Sequence, residues 1–221
     1  MHEKSSERVL SIQGIKRLPY YLNFLKELKA QGKNYVPASS IADSLSIYEV
    51  QVRKDLAAIS KQPGKPRVGF TVNALIEDIE HFLGYDHVNT AVLVGAGHLG
   101  QALMSYDEFS RYGLKIAAAF DLSADLIGHS VHGISVLPME KLQEVCQNQK
   151  IDIGIITTPV ACAQDVADQL VACGVRAIWN FAHVYLHVPE NIIVQNEDMA
   201  VSFALLSNNL AHADQEISAE E

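Results

Sequence analysis

The chain carries three cysteines and one tryptophan in 221 residues, and its nine histidines show no metal-binding spacing such as HExxH. Cys146, Cys162 and Cys173 lack the CxxC spacing of a zinc or redox motif, and three thiols leave one unpaired. A disulfide scaffold is excluded, and the thiols read as buried side chains of a reducing compartment. No apolar run approaches the roughly 20 residues of a membrane-spanning helix, and the first residues show no signal-peptide pattern. A cytoplasmic protein with neither a metal nor a membrane partner is expected. Positive charge is also scarce, since seventeen Lys/Arg face twenty-six Asp/Glu for a net charge of -9. The scarcity is uneven. Residues 1–70 hold twelve of the basic residues against six acidic ones, and residues 71–221 hold the other five against twenty. A basic module on an acidic body fits that asymmetry, as do two ordinary solvated surfaces.

Within the basic part, Leu18, Tyr21, Leu22, Leu25 and Leu28 recur on one face of a helix, with Pro19 in its first turn and Gly32 at its end. A second helix fits 40–45, capped by Ser39 or Ser40. A third begins at Ser46, where Ser46-Ile47-Tyr48-Glu49 has capping-box form. Its apolar face is Val52, Leu56 and Ile59, which turns Gln51 and Lys54 outward with Arg53 and Tyr48 at the flanks. Gly and Pro in 61–70 mark a hairpin bearing Lys61, Lys65 and Arg67. Two short helices, a tight turn and a cationic wing form a winged helix-turn-helix pattern, whose second helix enters the major groove of double-stranded DNA while the wing follows phosphates. A three-helix fold with a solvated charged face has the same pattern.

Gly95-Ala96-Gly97-His98-Leu99-Gly100 follows the β-branched run 90–94 and opens a helix expected over 99–108. Its glycines serve a tight turn, backbone approach to a pyrophosphate, and helix–strand packing. Asp121 ends the strand expected over 115–120, twenty-one positions past Gly100. That spacing suits an acceptor for the adenosine ribose hydroxyls that repels a 2′-phosphate, which favours NADH and NAD+ over their phosphorylated forms; a turn residue after a strand is the other reading. The alternation continues with a helix at 139–147, a strand at 151–157, a helix at 161–173 and a strand at 176–179. Thr157-Thr158-Pro159 and Asn180-Phe181 then fall at strand carboxyl ends, where ligands bind an open parallel sheet, unless they are loop punctuation. Met199, Phe203, Leu206 and Leu210 stripe a terminal helix that folds back or docks on a second subunit. No nucleophile–base set stands out, and only that helix remains after the sheet to hold a substrate. A ligand-responsive binding protein is expected rather than an enzyme, with an NAD-dependent oxidoreductase carrying a helical cap, or a CoA- or nucleotide-binding ligase domain, as rivals.

Gln51-Val52-Arg53-Lys54-Asp55-Leu56, the wing 64–70, the loop 95–100, Phe120-Asp121, Asn180-Phe181-Ala182 and Asp198 with Ser202-Phe203 occur in one order across residues 16–207. Together they resemble Rex-type redox-sensing transcriptional repressors. The resemblance implies an α/β chain with an N-terminal winged helix-turn-helix domain (1–84), a Rossmann-like doubly wound parallel sheet (85–198), and a C-terminal dimerisation helix (199–212) swapped between the subunits of a homodimer. A disordered acidic tail (213–221) follows. It further implies repression at an inverted-repeat operator, release by NADH, and a relay through Arg17, Tyr106 and Asp198. This chain departs from the family in a wing one residue longer, with Pro66, and in His183 where the family has proline.

Overall fold

The computed structural model describes residues 10–220, with side chains as far as 212. The chain divides between His87 and Val88 into two compact units, each with its own apolar core. The first runs α1 (Ile12–Ala30), β1 (Tyr35–Val36), α2 (Ala38–Leu45), α3 (Glu49–Ile59), β2 (Phe70–Thr71) and α4 (Val72–Leu83).

Helix α1 starts earlier than its apolar stripe suggests, because the Ser11 hydroxyl accepts from the Gly14 N–H at 3.1 Å. Pro19 consequently lies inside the helix instead of in its first turn, at a cost of about 3 kcal/mol for the missing donor and the ring clash. Leu18, Tyr21, Leu22 and Leu25 are fully buried, and at about 1.5–3 kcal/mol per large apolar side chain they outweigh that cost. The expected capping box at Ser46 does not form. Ser46 takes φ 53°, ψ 43° and closes α2 in a left-handed turn, so α3 begins at Glu49 with Tyr48 at its cap. The amide of Ser46 donates to α2 carbonyls in this turn, and a residue so used cannot also adopt the extended backbone of an N-cap. Likewise α2 starts at Ala38 behind Pro37, without a serine cap. Helix α4 has no counterpart among the expected elements, although Val72, Leu75, Ile76 and Ile79 have helical spacing and are all buried. Strands β1 and β2 pair antiparallel and hold the base of the wing.

The second unit contains β3 (Asn89–Val94), α5 (His98–Met104), α6 (Glu108–Arg111), β4 (Leu114–Asp121), β5 (Ser130–Val131), β6 (Ile134–Pro138), α7 (Leu142–Asn148), β7 (Ile153–Ile156), α8 (Val160–Ala172), β8 (Ala177–Asn180), β9 (Ile193–Asn196) and α9 (Met199–Glu220). The seven strands lie in the order β5-β6-β4-β3-β7-β8-β9, parallel throughout except for the β5–β6 hairpin. Strands β5, β6 and β9 extend the four that periodicity predicts. The buried interiors of β3, β4 and β7 meet at the centre. Chain direction across the sheet reverses at β3, which gathers the loops after β3, β4 and β7 at one carboxyl edge, the place where such sheets bind ligands. The helix expected over 99–108 is broken, with Ser105 to Asp107 between α5 and α6. Helix α9 continues through 213–220, where composition reads disorder; alanine, glutamate and glutamine there are good helix formers. Glu221 lies outside the described residues. None of the described helices is long and apolar enough to cross a membrane.

Candidate nucleic-acid interface and dinucleotide cleft

In the first unit, α3 buries Val52, Asp55, Leu56 and Ile59. A carboxylate on a buried helix face must be fully bonded, and Asp55 is: Arg17 Nε and the Tyr21 hydroxyl donate to Oδ2, both at 2.8 Å, and Arg17 Nη2 and Gln51 Nε2 to Oδ1 at 3.0 and 2.9 Å. Burial opposes ionisation of Asp55, but the bonds from Arg17, Tyr21 and Gln51 prevail and hold its pKa below the ordinary value. Burial, and next the bond to Asp55, push the Tyr21 phenol up to about 12. Gln51 is thus a half-buried flank residue whose Nε2 is tied inward. The outward positions belong to Lys54, which is exposed and forms no ion pair with the described residues, and to Val50, 78% exposed, which the expected helix start left unnoticed. Arg53 donates to Glu49 at 2.7 Å on the surface, and Tyr48 is exposed at the entry to α3. Ser46 is exposed in the turn.

The wing is a tight hairpin closed by Lys65 N–H to Gly69 O at 2.8 Å and Gly69 N–H to Lys65 O at 2.9 Å. Gly69 has φ 93°, and a Cβ there would stand 2.2 Å from the Val36 carbonyl oxygen. Arg67, also at positive φ, is exposed at the tip with Lys65. The Lys65 ammonium lies 5.6 Å from the Tyr35 ring centroid. The Lys61 backbone N–H donates to Asp78 at 2.9 Å, which anchors the hairpin to α4 while the residue stays exposed.

In the second unit, the glycine loop packs without room for side chains at two of its glycines. Gly95 has φ 103°, and a Cβ there would be 2.8 Å from the Thr157 carbonyl; one at Gly100 would be 2.1 Å from Gly95 O. Gly97 faces open space. The first intrahelical donor of α5 is Gln101 N–H, to Gly97 O at 2.9 Å, so the amides of Gly97, His98, Leu99 and Gly100 have no intrahelical acceptor. Asp121 sits against the loop, accepting from Ala96 N–H at 2.6 Å and from Ser123 N–H at 2.8 Å. Gly95, Asp121, Leu122, Met139, Thr158 and Pro159 line a cleft of about 420 Å³, together with Cys162 and the start of α8. Thr158 Oγ1 is buried without a hydrogen-bond partner among the described residues. An orphaned hydroxyl, an open Gly97 and a carboxylate at the rim fit the phosphate and ribose groups of a dinucleotide.

Other expected ligand residues are used by the protein itself. Thr157 Oγ1 donates to Gly95 O at 2.7 Å, tying the loop to β7. Asn180 is fully buried, and its amide binds Ala182, Val184 and Asn196. Phe181 packs 5.0 Å from Trp179, whose other neighbour Phe109 leads on to Tyr106. Tyr106 is 51% exposed, in the break between α5 and α6 and not at the end of one helix. Asp198 caps α9 through Ala200 N–H at 2.7 Å and lies 3.0 Å from His183 Nδ1. The bond from His183, followed by those from the α9 amides, depresses the Asp198 pKa. Within their own units, then, Arg17 is held by Asp55 and Asp198 by His183. Cys162 is exposed, contrary to the buried reading of the three thiols, while Cys146 and Cys173 are half-buried. Among the described residues no cluster could hold a metal.

Residues 10–57 match the DNA-binding protein N-terminus family and residues 86–184 the CoA binding domain family. A redox-sensing transcriptional repressor Rex of Treponema denticola is 39% identical over 91% of this chain and 96% of its own length. The chain belongs to the Rex family. The Rex of Bacteroides fragilis is 38% identical over 89% of each chain. The fold is similar too: RSP, a Rex-family repressor, in complex with beta-NAD+ and operator DNA, has TM-score 0.86 at 30% identity, covering 96% of this chain and 97% of its own. RSP in complex with beta-NADH has TM-score 0.81 at 30% identity, covering 95% and 98%. Rex relatives are repressors, not enzymes, and the CoA binding domain match lies inside a chain that aligns with Rex over 91% of its residues.

Proposed function

We propose that this chain is a cytoplasmic DNA-binding repressor that reads the NADH/NAD+ ratio and leaves its operator when NADH binds. The observation that carries the reading is the pairing, in one chain, of a helix-turn-helix with free outward groups at Lys54 and Val50 and a glycine-loop cleft with an orphaned Thr158 hydroxyl. Lys54, Arg53, Tyr48 and Gln51 would meet the major groove of double-stranded DNA, Ser46 the backbone, and Lys61, Lys65 and Arg67 the phosphates beside it. The amides at 97–100 would hold the pyrophosphate and Asp121 the adenosine ribose. Thr158 and Pro159 would border the adenosine, and Phe181 the nicotinamide side; Thr157 and Asn180 would shape the pocket from behind.

The assembly would be a homodimer. Helix α9 leaves Met199, Phe203, Leu206 and Leu210 between 56% and 70% exposed, a surface that a second copy would cover by exchange of this helix. NAD+ is a cation at the nicotinamide and NADH is not, so burying that ring between subunits penalises the oxidised form. NADH and DNA then select different conformers, and each must weaken the other. Tyr106 and Asp198 would carry the coupling, and Arg17 could join them through Nη1, which Asp55 leaves unused. A gel shift on upstream fragments of the same genome tests the reading: a retarded fragment that NADH frees and NAD+ does not supports it, whereas retardation indifferent to both removes the sensor.

A further inference from the structure

A fully bonded polar cluster surrounds Asp55 in the helix that would enter DNA. An ionised carboxylate has no donor and about four acceptor sites. Here Oδ2 takes Arg17 Nε and the Tyr21 hydroxyl, and Oδ1 takes Arg17 Nη2 and Gln51 Nε2. All four sites are filled, at 1% exposure of Asp55. The arrangement decides which way the Gln51 amide faces. Turning it over would press Oε1 against an acceptor-only group and forfeit a charge-assisted bond, so Nε2 faces in. Oε1 accepts from none of the described residues, and Gln51 keeps part of its surface exposed. A free glutamine offers a donor or an acceptor to a base edge; this one is fixed as an acceptor. Lys54, three positions on and exposed, is a donor only.

We infer that Asp55 sets the base preference of the recognition helix by holding Gln51 with its Oε1 outward, so that the contacted strand must carry an amino-bearing base, adenine or cytosine, opposite position 51. In the major groove adenine N6 and cytosine N4 donate, whereas guanine and thymine show only acceptors there and would set oxygen against oxygen. Asp55 is in this sense a positioning residue. It touches no base, and its effect is felt through Gln51. The inference rests on the DNA-binding reading proposed above.

The experiment is selection from a randomised duplex library by the full-length protein without NADH, scored position by position. The unmodified protein should enrich adenine or cytosine at one position per half-site. Gln51→Ala should flatten that position alone, with a loss of about 5- to 10-fold, the lower range for one mismatched pair. Asp55→Asn keeps an acceptor for Arg17 but also offers a donor, which lets the Gln51 amide turn over. It should admit guanine or thymine at that position while leaving the others as they were. A merely structural Asp55 would lower the affinity of every sequence alike and keep the profile, and that result overturns the inference. So does an unchanged profile in Gln51→Ala. Failure of the unmodified protein to enrich any sequence overturns the DNA-binding reading and this inference with it.

Discussion

Helices α1 and α9 are of similar length, 19 and 22 residues, and both carry an apolar stripe, yet they use it in opposite ways. In α1, Leu18, Tyr21, Leu22 and Leu25 are wholly buried against α2, α3 and α4. In α9, Met199, Phe203, Leu206 and Leu210 are more than half exposed. The same sequence signal thus marks an interior in one case and an unfilled surface in the other. Periodicity says that a face wants cover; it does not say whether the cover lies in the same chain.

The largest effect should come from substitutions that separate these two uses. If α9 joins two copies as proposed, Leu206→Glu with Leu210→Glu should give a monomer in light scattering where the unmodified protein is a dimer, and should weaken binding to a two-half-site operator on the order of 100-fold, by loss of the linked second site. Leu22→Ala should leave the state of association unchanged and cost about 2–5 kcal/mol in urea unfolding, as truncations of buried leucine do. A dimer that survives the α9 substitutions would remove the contrast.

Next in size is Asp198→Asn. If Asp198 carries the coupling, NADH binding should persist in calorimetry while its effect on DNA affinity shrinks by about 5- to 150-fold, the span of common coupling energies. If it only caps α9, stability falls by about 1 kcal/mol and the NADH effect stays.

Much of the fold is legible in the sequence. The amphipathic stripes, the glycine loop and the strand ending at Asp121 follow local rules that act over a few residues. Partners across the chain were not legible. Gln51 and Lys54 share one exposed sector of a helical wheel, and only the fold brings Asp55 to Arg17 and Tyr21, drawing Gln51 inward. Asn180 and Thr157 stand at strand ends, and the loop-holding bonds of their side chains follow from the fold and not from that position. Leu122, Met139 and Cys162 line the cleft without any motif to announce them; their position just after β4, after β6 and at the start of α8 was the available signal. The Ser46 box failed because backbone geometry, which composition does not encode, gave that residue to the helix before it.

A smaller effect is expected at Asp121. Asp121→Ala should narrow the calorimetric preference for NADH over NADPH, removing both an acceptor for the ribose and a repulsion. It should also loosen the glycine loop, because Ala96 N–H loses its partner. NADH affinity should fall about tenfold, the weight of one charge-assisted bond. Equal binding of NADH and NADPH by the unmodified protein would contradict the assignment.

The smallest effect concerns acid. The Asp55 pKa is depressed in the fold, so its bonds contribute stability above the unfolded carboxylate value of about 3.9 and lose it as pH falls through the lower folded value. The urea midpoints of the unmodified protein and Asp55→Asn should therefore differ at pH 7 and converge toward pH 3. A gap that widens in acid would show that Asp55 is not held ionised.

The central claim is that the ratio of reduced to oxidised cofactor, and not the amount of either, sets DNA binding. It is tested by fluorescence anisotropy of a labelled operator at fixed total dinucleotide, with the NADH fraction raised from zero to one. The account predicts that binding holds in NAD+ and falls steeply as the NADH fraction rises. Anisotropy that stays level across the whole range would contradict it.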